Sequence, residues 1–243
     1  MKSTFYGKET SDMATIPDEN EIREILKDIL EAIDEKAGEE LLKRMIVRVY
    51  RRGEIIFNEE KTPRQMFCLA KGKVKIYKNG IGRSQTINIL SSVSYFGFRA
   101  AIAEGKYLTS AAALEDSLII KFPMPLMKEY ARTYPRMTYL FLKQLSILLG
   151  KAAERTVTLT QKHLRARLAD SMLYLLDCYG TQSDGHTLAC SISREDLANL
   201  SNMTTNNAIR TLSQFASENL VTLNKRSIRI ENIEALQRIS QLG

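Results

Sequence analysis

Apolar residues at Ile22, Ile25, Leu26, Ile29, Leu30 and Ile33 recur with a helical period, which predicts one amphipathic helix over 19–33 behind a polar leader, residues 1–18. From about Val47 to Phe122 the texture changes to short β-branched runs broken by Gly, Asn, Ser and Pro. RVYRRGEIIF, QMFCLAKGKVKIYKN, SQTINILS and SLIIKFP read as successive strands of an all-β sandwich or barrel. KNGIGRS is a hairpin turn, because its Gly-x-Gly lacks the third glycine and the following helix of a dinucleotide loop.

Past Pro125 and Pro135 a longer pattern begins. Phe141, Leu145, Leu148, Ala152 and Leu159 are spaced by four, three, four and seven residues, a seam of about three heptads that Arg155 interrupts. Such a seam suits a helix that pairs with a second copy of itself; the alternative is a helix packed on its own domain. A second helix over 161–178 carries Leu164, Leu168, Met172, Leu175 and Leu176 on one face, and YGTQSDGHT ends it. A domain boundary is therefore expected near Leu159.

SNMTTNNAIRTLSQF, residues 201–215, opens a helix with four mediocre helix formers. Capping explains part of this. Ser193 is a good N-cap for one helix, with Asp196 three residues on, and Leu197 and Leu200 fall on its inner side. Ser201-Asn202-Met203 can turn the chain, and Thr204 can cap a second helix by accepting from the N–H of Asn206 or Asn207. On the wheel of that second helix, Ala208, Leu212 and Phe215 share one face while Asn206, Arg210 and Ser213 share the opposite one.

A helix with a dry side and a hydrogen-bonding side, entered by a tight turn, suits the DNA major groove. Asn pairs with adenine N6 and N7 and Arg with guanine O6 and N7. Ile209 borders this face, where it either meets a thymine methyl or packs within the domain. NLVTLNKRSIRIEN then reads as a hairpin with a basic tip, so the whole is a winged helix. The expected DNA contacts are Arg194, Thr204, Thr205, Asn206, Arg210, Ser213, Lys225 and Arg226, with Arg229 among the basic residues placed nearby.

Composition narrows the partners. The 243 residues are 44% hydrophobic and 26% charged, with a net charge of +7, as for a globular protein drawn to polyanions. Over 160–243, nine Lys and Arg face eight Asp and Glu, so placement rather than net charge argues for nucleic acid there. No run of about 18 apolar residues and no secretory signal are seen, so a cytoplasmic protein without a membrane partner is expected. Cys68, Cys178 and Cys190 lie far apart, and only His163 and His186 could join them, which predicts no metal site. Without a phosphate loop, a Gly-x-Ser-x-Gly or clustered ligands, no enzyme is expected.

The order of these parts resembles the Crp/Fnr transcription regulators of bacteria. The resemblance runs from about Glu19 to the end and rests on RRGEIIF, LAKGKVKIY, YFG, ISREDLANLSNMTTNNAIRTLSQF and LVTLNKRSIRI. It implies an α+β chain: a cyclic-nucleotide-binding-like double-stranded β-helix or jelly roll over 19–134, a dimerisation helix over 135–159 and a winged helix-turn-helix over 160–243. It also implies a homodimer on a palindromic operator, RNA polymerase as a partner, and a hinge around Val157–His163 that answers to an effector.

The family's contacting positions in the recognition helix fall on Thr204, Thr205, Asn206 and Arg210. Many members carry an acid at the position of Asn206 and an Arg at that of Thr205, so a half-site other than TGTGA is expected. The nucleotide-pocket positions fall on Gly97, Phe98, Arg99, Leu108, Thr109, Ala152 and Ala153. Where cyclic-nucleotide binders have Glu and Arg, this chain has Phe98 and Leu108, which argues against cyclic AMP. Three possibilities stay open: an uncharged effector, a pocket filled by its own side chains, or another sensing chemistry. Iron–sulfur sensing is not expected, since the leader has no Cys; His163 and His186 read as surface residues rather than haem ligands, and Cys68 as inert. The competing function, a regulatory subunit acting through protein contacts, would want an apolar stripe where the second helix shows Asn206, Arg210 and Ser213.

Overall fold

The computed structural model describes residues 17–242, so residues 1–16 of the expected leader lie outside it. Asp18 caps the first helix, α1 (Glu19–Ile25), in a reciprocal capping box with Glu21. The helix expected over 19–33 is interrupted at Leu26, whose backbone leaves the helical region, and resumes as α2 (Lys27–Leu30). A third helix, α3 (Glu35–Arg44), is capped by Asp34, and its buried side, Ala37, Gly38 and Leu41, carries little hydrophobic signal in the sequence.

The roll follows: β1 (Ile46–Tyr50), β2 (Ile55–Phe57), β3 (Gln65–Lys71), β4 (Val74–Asn79), β5 (Ser84–Leu90), β6 (Ser94–Phe96), helix α4 (Arg99–Ile102), β7 (Ser110–Ala113) and β8 (Ser117–Pro123). They form two four-stranded antiparallel sheets, ordered β1-β8-β3-β6 and β2-β7-β4-β5. The KNGIGRS turn joins β4 to β5, closed by Gly80 N–H donating to the Arg83 carbonyl at 2.9 Å.

The side-chain period of two explains the continuous apolar run in QMFCLAK. Phe67 and Leu69 of β3 enter the space between the sheets with Tyr50, Val74, Phe96 and Ile119, while Met66, Cys68 and Ala70 turn outward. Helices cover that outer face. Ile22, Leu26, Ile29 and Leu41 pack there with residues of α5 (Met124–Thr133) and with Met137 and Phe141 of α6 (Pro135–Gln161). At 1.5 Å per residue α6 is about 40 Å long.

The C-terminal part comprises α7 (Leu164–Tyr179), α8 (Arg194–Leu200), α9 (Thr205–Ser217), a hairpin of β9 (Val221–Asn224) and β10 (Ser227–Ile230), and α10 (Ile233–Leu242). Leu168, Met172, Leu175, Leu197, Leu212, Phe215 and Ile228 build its core, and Ile89 of β5 is packed into the same cluster. The two halves therefore share apolar contact. Lys162 and His163 alone separate α6 from α7, both in extended backbone.

Candidate nucleic-acid interface

Ser193 and Thr204 hold extended backbone and start the two helices of the motif. Ser193 Oγ accepts from the Asp196 N–H at 3.0 Å, and Thr204 Oγ1 from the Asn207 N–H at 3.2 Å. Between them Asn202 stands at φ 51°, the left-handed region that Asn tolerates better than most side chains. Ala208, Thr211, Leu212 and Phe215 are buried, which fixes the rotation of α9. Thr204, Thr205, Asn206, Ile209, Arg210 and Ser213 are exposed. Ile209 is 46% exposed rather than packed into the domain core. The nearest polar partner of Arg210 is Asn207 Oδ1 at 3.3 Å, long for a charged donor.

Lys225 and Arg226 form the exposed tip of the wing. Arg194 is placed differently from the rest: half-buried, it donates from Nη2 to the Lys225 carbonyl at 2.9 Å and so ties α8 to the wing. Arg229 is also engaged, with Asp184 at 2.8 Å and Glu231 at 3.1 Å. Asp184 takes hydrogen bonds from the Thr187 hydroxyl and from the Thr187 and His186 N–H groups, which together with Arg229 hold its carboxyl well below the usual range. Arg194 and Arg229 thus both make contacts within the domain, Arg194 to the wing turn and Arg229 to Asp184 and Glu231.

Residues 47–134 match the family described as cyclic nucleotide-binding domain, and residues 166–239 match the Crp-like helix-turn-helix domain, in that order along one chain. The chain belongs to the Crp/Fnr family of transcription regulators. It is 22% identical over 212 residues to the CRP-like cAMP-activated global transcriptional regulator of Mycobacterium tuberculosis, covering 86% of this chain and 95% of that one. The global nitrogen regulator of Synechocystis is 22% identical over 213 residues, with coverages of 86% and 94%. A Crp/Fnr regulator from Eubacterium rectale has the same fold, with a TM-score of 0.75 at 17% identity over 88% of this chain and 97% of that one. So has the c-di-GMP responsive regulator CLP of Xanthomonas campestris, with a TM-score of 0.73 at 16% identity over 82% and 100%. Two of these names carry different ligands, cAMP and c-di-GMP, so the Crp/Fnr fold does not by itself name an effector. Its members are regulators that bind DNA, not enzymes. Among the described residues, no helix is long and apolar enough to cross a membrane, and no cluster of His, Cys, Asp and Glu could hold a metal.

The positions that a Crp/Fnr sensor would turn to a nucleotide are scattered here. Phe98 is 1% exposed and its ring stacks on Phe141 at 4.8 Å, closing the gap between the roll and α6. Leu108 is 64% exposed, and its carbonyl accepts from Lys78 Nζ at 3.0 Å. Arg99, Ala152 and Ala153 are exposed and Thr109 is half-buried. Gly97 sits at φ +82°, and a Cβ there would come within 2.6 Å of the Phe67 ring, so glycine is required for packing. A cyclic nucleotide brings an anion that needs buried donors. Among these positions the one cation, Arg99, is exposed and the one buried side chain, Phe98, is apolar, so they offer such an anion no buried charged donor. Burial pushes the Cys68 thiol up to about 12, leaving it protonated and unreactive at neutral pH.

The heptad residues on α6 divide likewise. Phe141 is buried in its own core, Leu145 is half-buried against it, Leu148 and Leu159 are half-buried and Ala152 is exposed. A different set stands open: Tyr139 at 67%, Leu142 at 58% and Leu149 at 73% exposure, with Ser146 and Ala153 also exposed.

Proposed function

We propose that this regulator works as a homodimer that reads an inverted-repeat operator, with RNA polymerase as its downstream partner, and that cyclic AMP is not its effector. The observation that carries the DNA reading is the uncovered polar face of α9, where Thr205, Asn206, Arg210 and Ser213 stand exposed above a buried apolar face. Arg210 would take guanine and Asn206 adenine, Thr204 and Thr205 would meet the backbone or flanking bases, and Lys225 and Arg226 would meet phosphates.

The dimer seam that the exposures favour is Tyr139, Leu142, Ser146, Leu149 and Ala153, spaced by three and four residues. It lies about a third of a turn from the Phe141, Leu145, Leu148 face that the chain uses itself. In the dimer the two copies of α9 would lie about one DNA turn apart. In the roll, the Phe98–Phe141 stack supports a sensor site filled by its own side chains over one that admits a nucleotide.

The test is selection from a randomised duplex library by the full-length protein at one moderate salt concentration, with and without cyclic AMP. An inverted repeat should be enriched to the same extent in both conditions. Asn206→Glu should exchange the preferred adenine for cytosine, with discrimination of about 1–3 kcal/mol. Retention without a motif, weakening steeply with salt, would mean phosphate contact alone and overturn the operator reading. Enrichment only with cyclic AMP would overturn the filled sensor.

A further inference from the structure

Arg155, which breaks the heptad pattern of α6, has a place that sequence could not show. Its guanidinium leaves the long helix and donates to two backbone carbonyls on different domains: Thr86 in β5, at 3.0 Å, and Leu200 at the end of α8. It is not alone there. Gln85 Nε2 donates to the Asn199 carbonyl at 2.9 Å, Arg167 Nη1 to the Asn202 carbonyl at 3.1 Å, and Arg83 Nη2 to Asn202 Oδ1 at 2.9 Å. The last carbonyls of a helix have no partner within it and carry its negative end, so cationic donors are favoured at that place. The C-terminus of α8 and the turn into α9 are thus held by the roll, the long helix and α7 together. Lys75 adds an ion pair with Asp196 at 2.5 Å, both ends largely shielded from solvent.

This contact leaves the reader open. The polar face of α9 and the tip of the wing are exposed while the clamp is closed, so docking does not mask the DNA surface. Covalently, only Lys162 and His163 link α6 to α7, and Lys162–Asp170 at 2.7 Å is the ion pair that spans this joint.

We propose that Arg155 is a positioning residue for DNA binding: by gripping β5 and the end of α8 at once, it sets the angle of α9 to the long helix and hence the spacing of the two recognition helices. This rests on the dimeric operator reading above. Both bonds leave the same Nη2, whose two N–H groups point to the two carbonyls, and the planar guanidinium fixes those directions more tightly than the freely rotating ammonium of Lys would.

The experiment compares wild type, Arg155→Lys and Arg155→Met on single half-sites and on paired half-sites whose separation is varied by single base pairs. Hydrogen exchange of the same proteins without DNA runs in parallel. Arg155→Met should bind a single half-site as wild type does, lose about tenfold on the preferred pair, about 1.4 kcal/mol, and discriminate poorly between separations. Arg155→Lys should fall between the two. Amides of β5 and of Leu200–Met203 should exchange faster in Arg155→Met while β3 and the core of α9 stay protected. Unchanged spacing preference with unchanged exchange would overturn the proposal, as would equal losses on single and paired half-sites, which would mean damage to the reader itself. If wild type shows no preference for any pair, the operator reading fails, and the exchange at the junction then decides alone whether the clamp exists.

Discussion

The roll and the reader are built from the same materials, buried apolar faces with polar residues between them, yet they treat their functional positions in opposite ways. In the reader, Ala208, Leu212 and Phe215 anchor α9 so that Asn206, Arg210 and Ser213 are left to solvent. In the roll, the position that would meet a nucleotide is itself part of the core, with Phe98 stacked on Phe141 and Gly97 pressed against Phe67. A domain can keep the architecture of a sensor while its interior packs like any other core, because the strands and the ligand shell are specified by different residues.

The largest expected effect tests the filled side of this comparison. Phe98→Ala should cost about 3–5 kcal/mol of stability in urea unfolding, the range for deleting a buried phenylalanine. A loss well under 1 kcal/mol would mean that the ring borders open space, as in a ligand pocket. The next tests the open side. Arg210→Ala should weaken specific DNA binding by about 1–3 kcal/mol and change unfolding by less than about 0.5 kcal/mol. A large stability loss there would make Arg210 structural and blur the contrast.

The smallest effect concerns the seam between the regions. Burial alone would raise the carboxyl of Asp196, but hydrogen bonds from Lys75 and Ser193 and the Lys75 charge hold it below its ordinary value. A carboxyl lowered on folding stabilises above its unfolded pKa, about 3.9, and that contribution is lost as pH falls through the folded value. The difference in stability between wild type and Asp196→Asn should therefore be constant from about pH 5 to 8 and shrink below about pH 4. A difference that grows on acidification would reverse the assignment.

Much of this was legible in the sequence, for identifiable reasons. β4, β5 and β8 announce themselves through β-branched and aromatic residues, and Ser193 and Thr204 cap where their side chains predict. β7 was silent: Ser110–Ala113 is buried throughout, but alanine carries no strand signal and is chosen for fit between layers. On α6 the heptad seam suits either a second copy or the chain's own domain, and the packing of Phe141 and Leu145 shows that the chain uses the N-terminal part of it for itself. The reading face of α9 was visible because a helical wheel is local. The clamp around Leu200 was not, since Arg83, Arg155 and Arg167 meet there from three separate elements.

The turn at Asn202 also sets a mechanical tolerance. With 13 residues, α9 is a lever about 20 Å long. Ten degrees of play at its pivot moves the far end by about 3.4 Å, the rise of one base pair along a strand. In the proposed reader Asn206 and Arg210 lie close to this pivot and would move less than Ser213 further along, and the guanidinium groups at the junction would limit the play of all three.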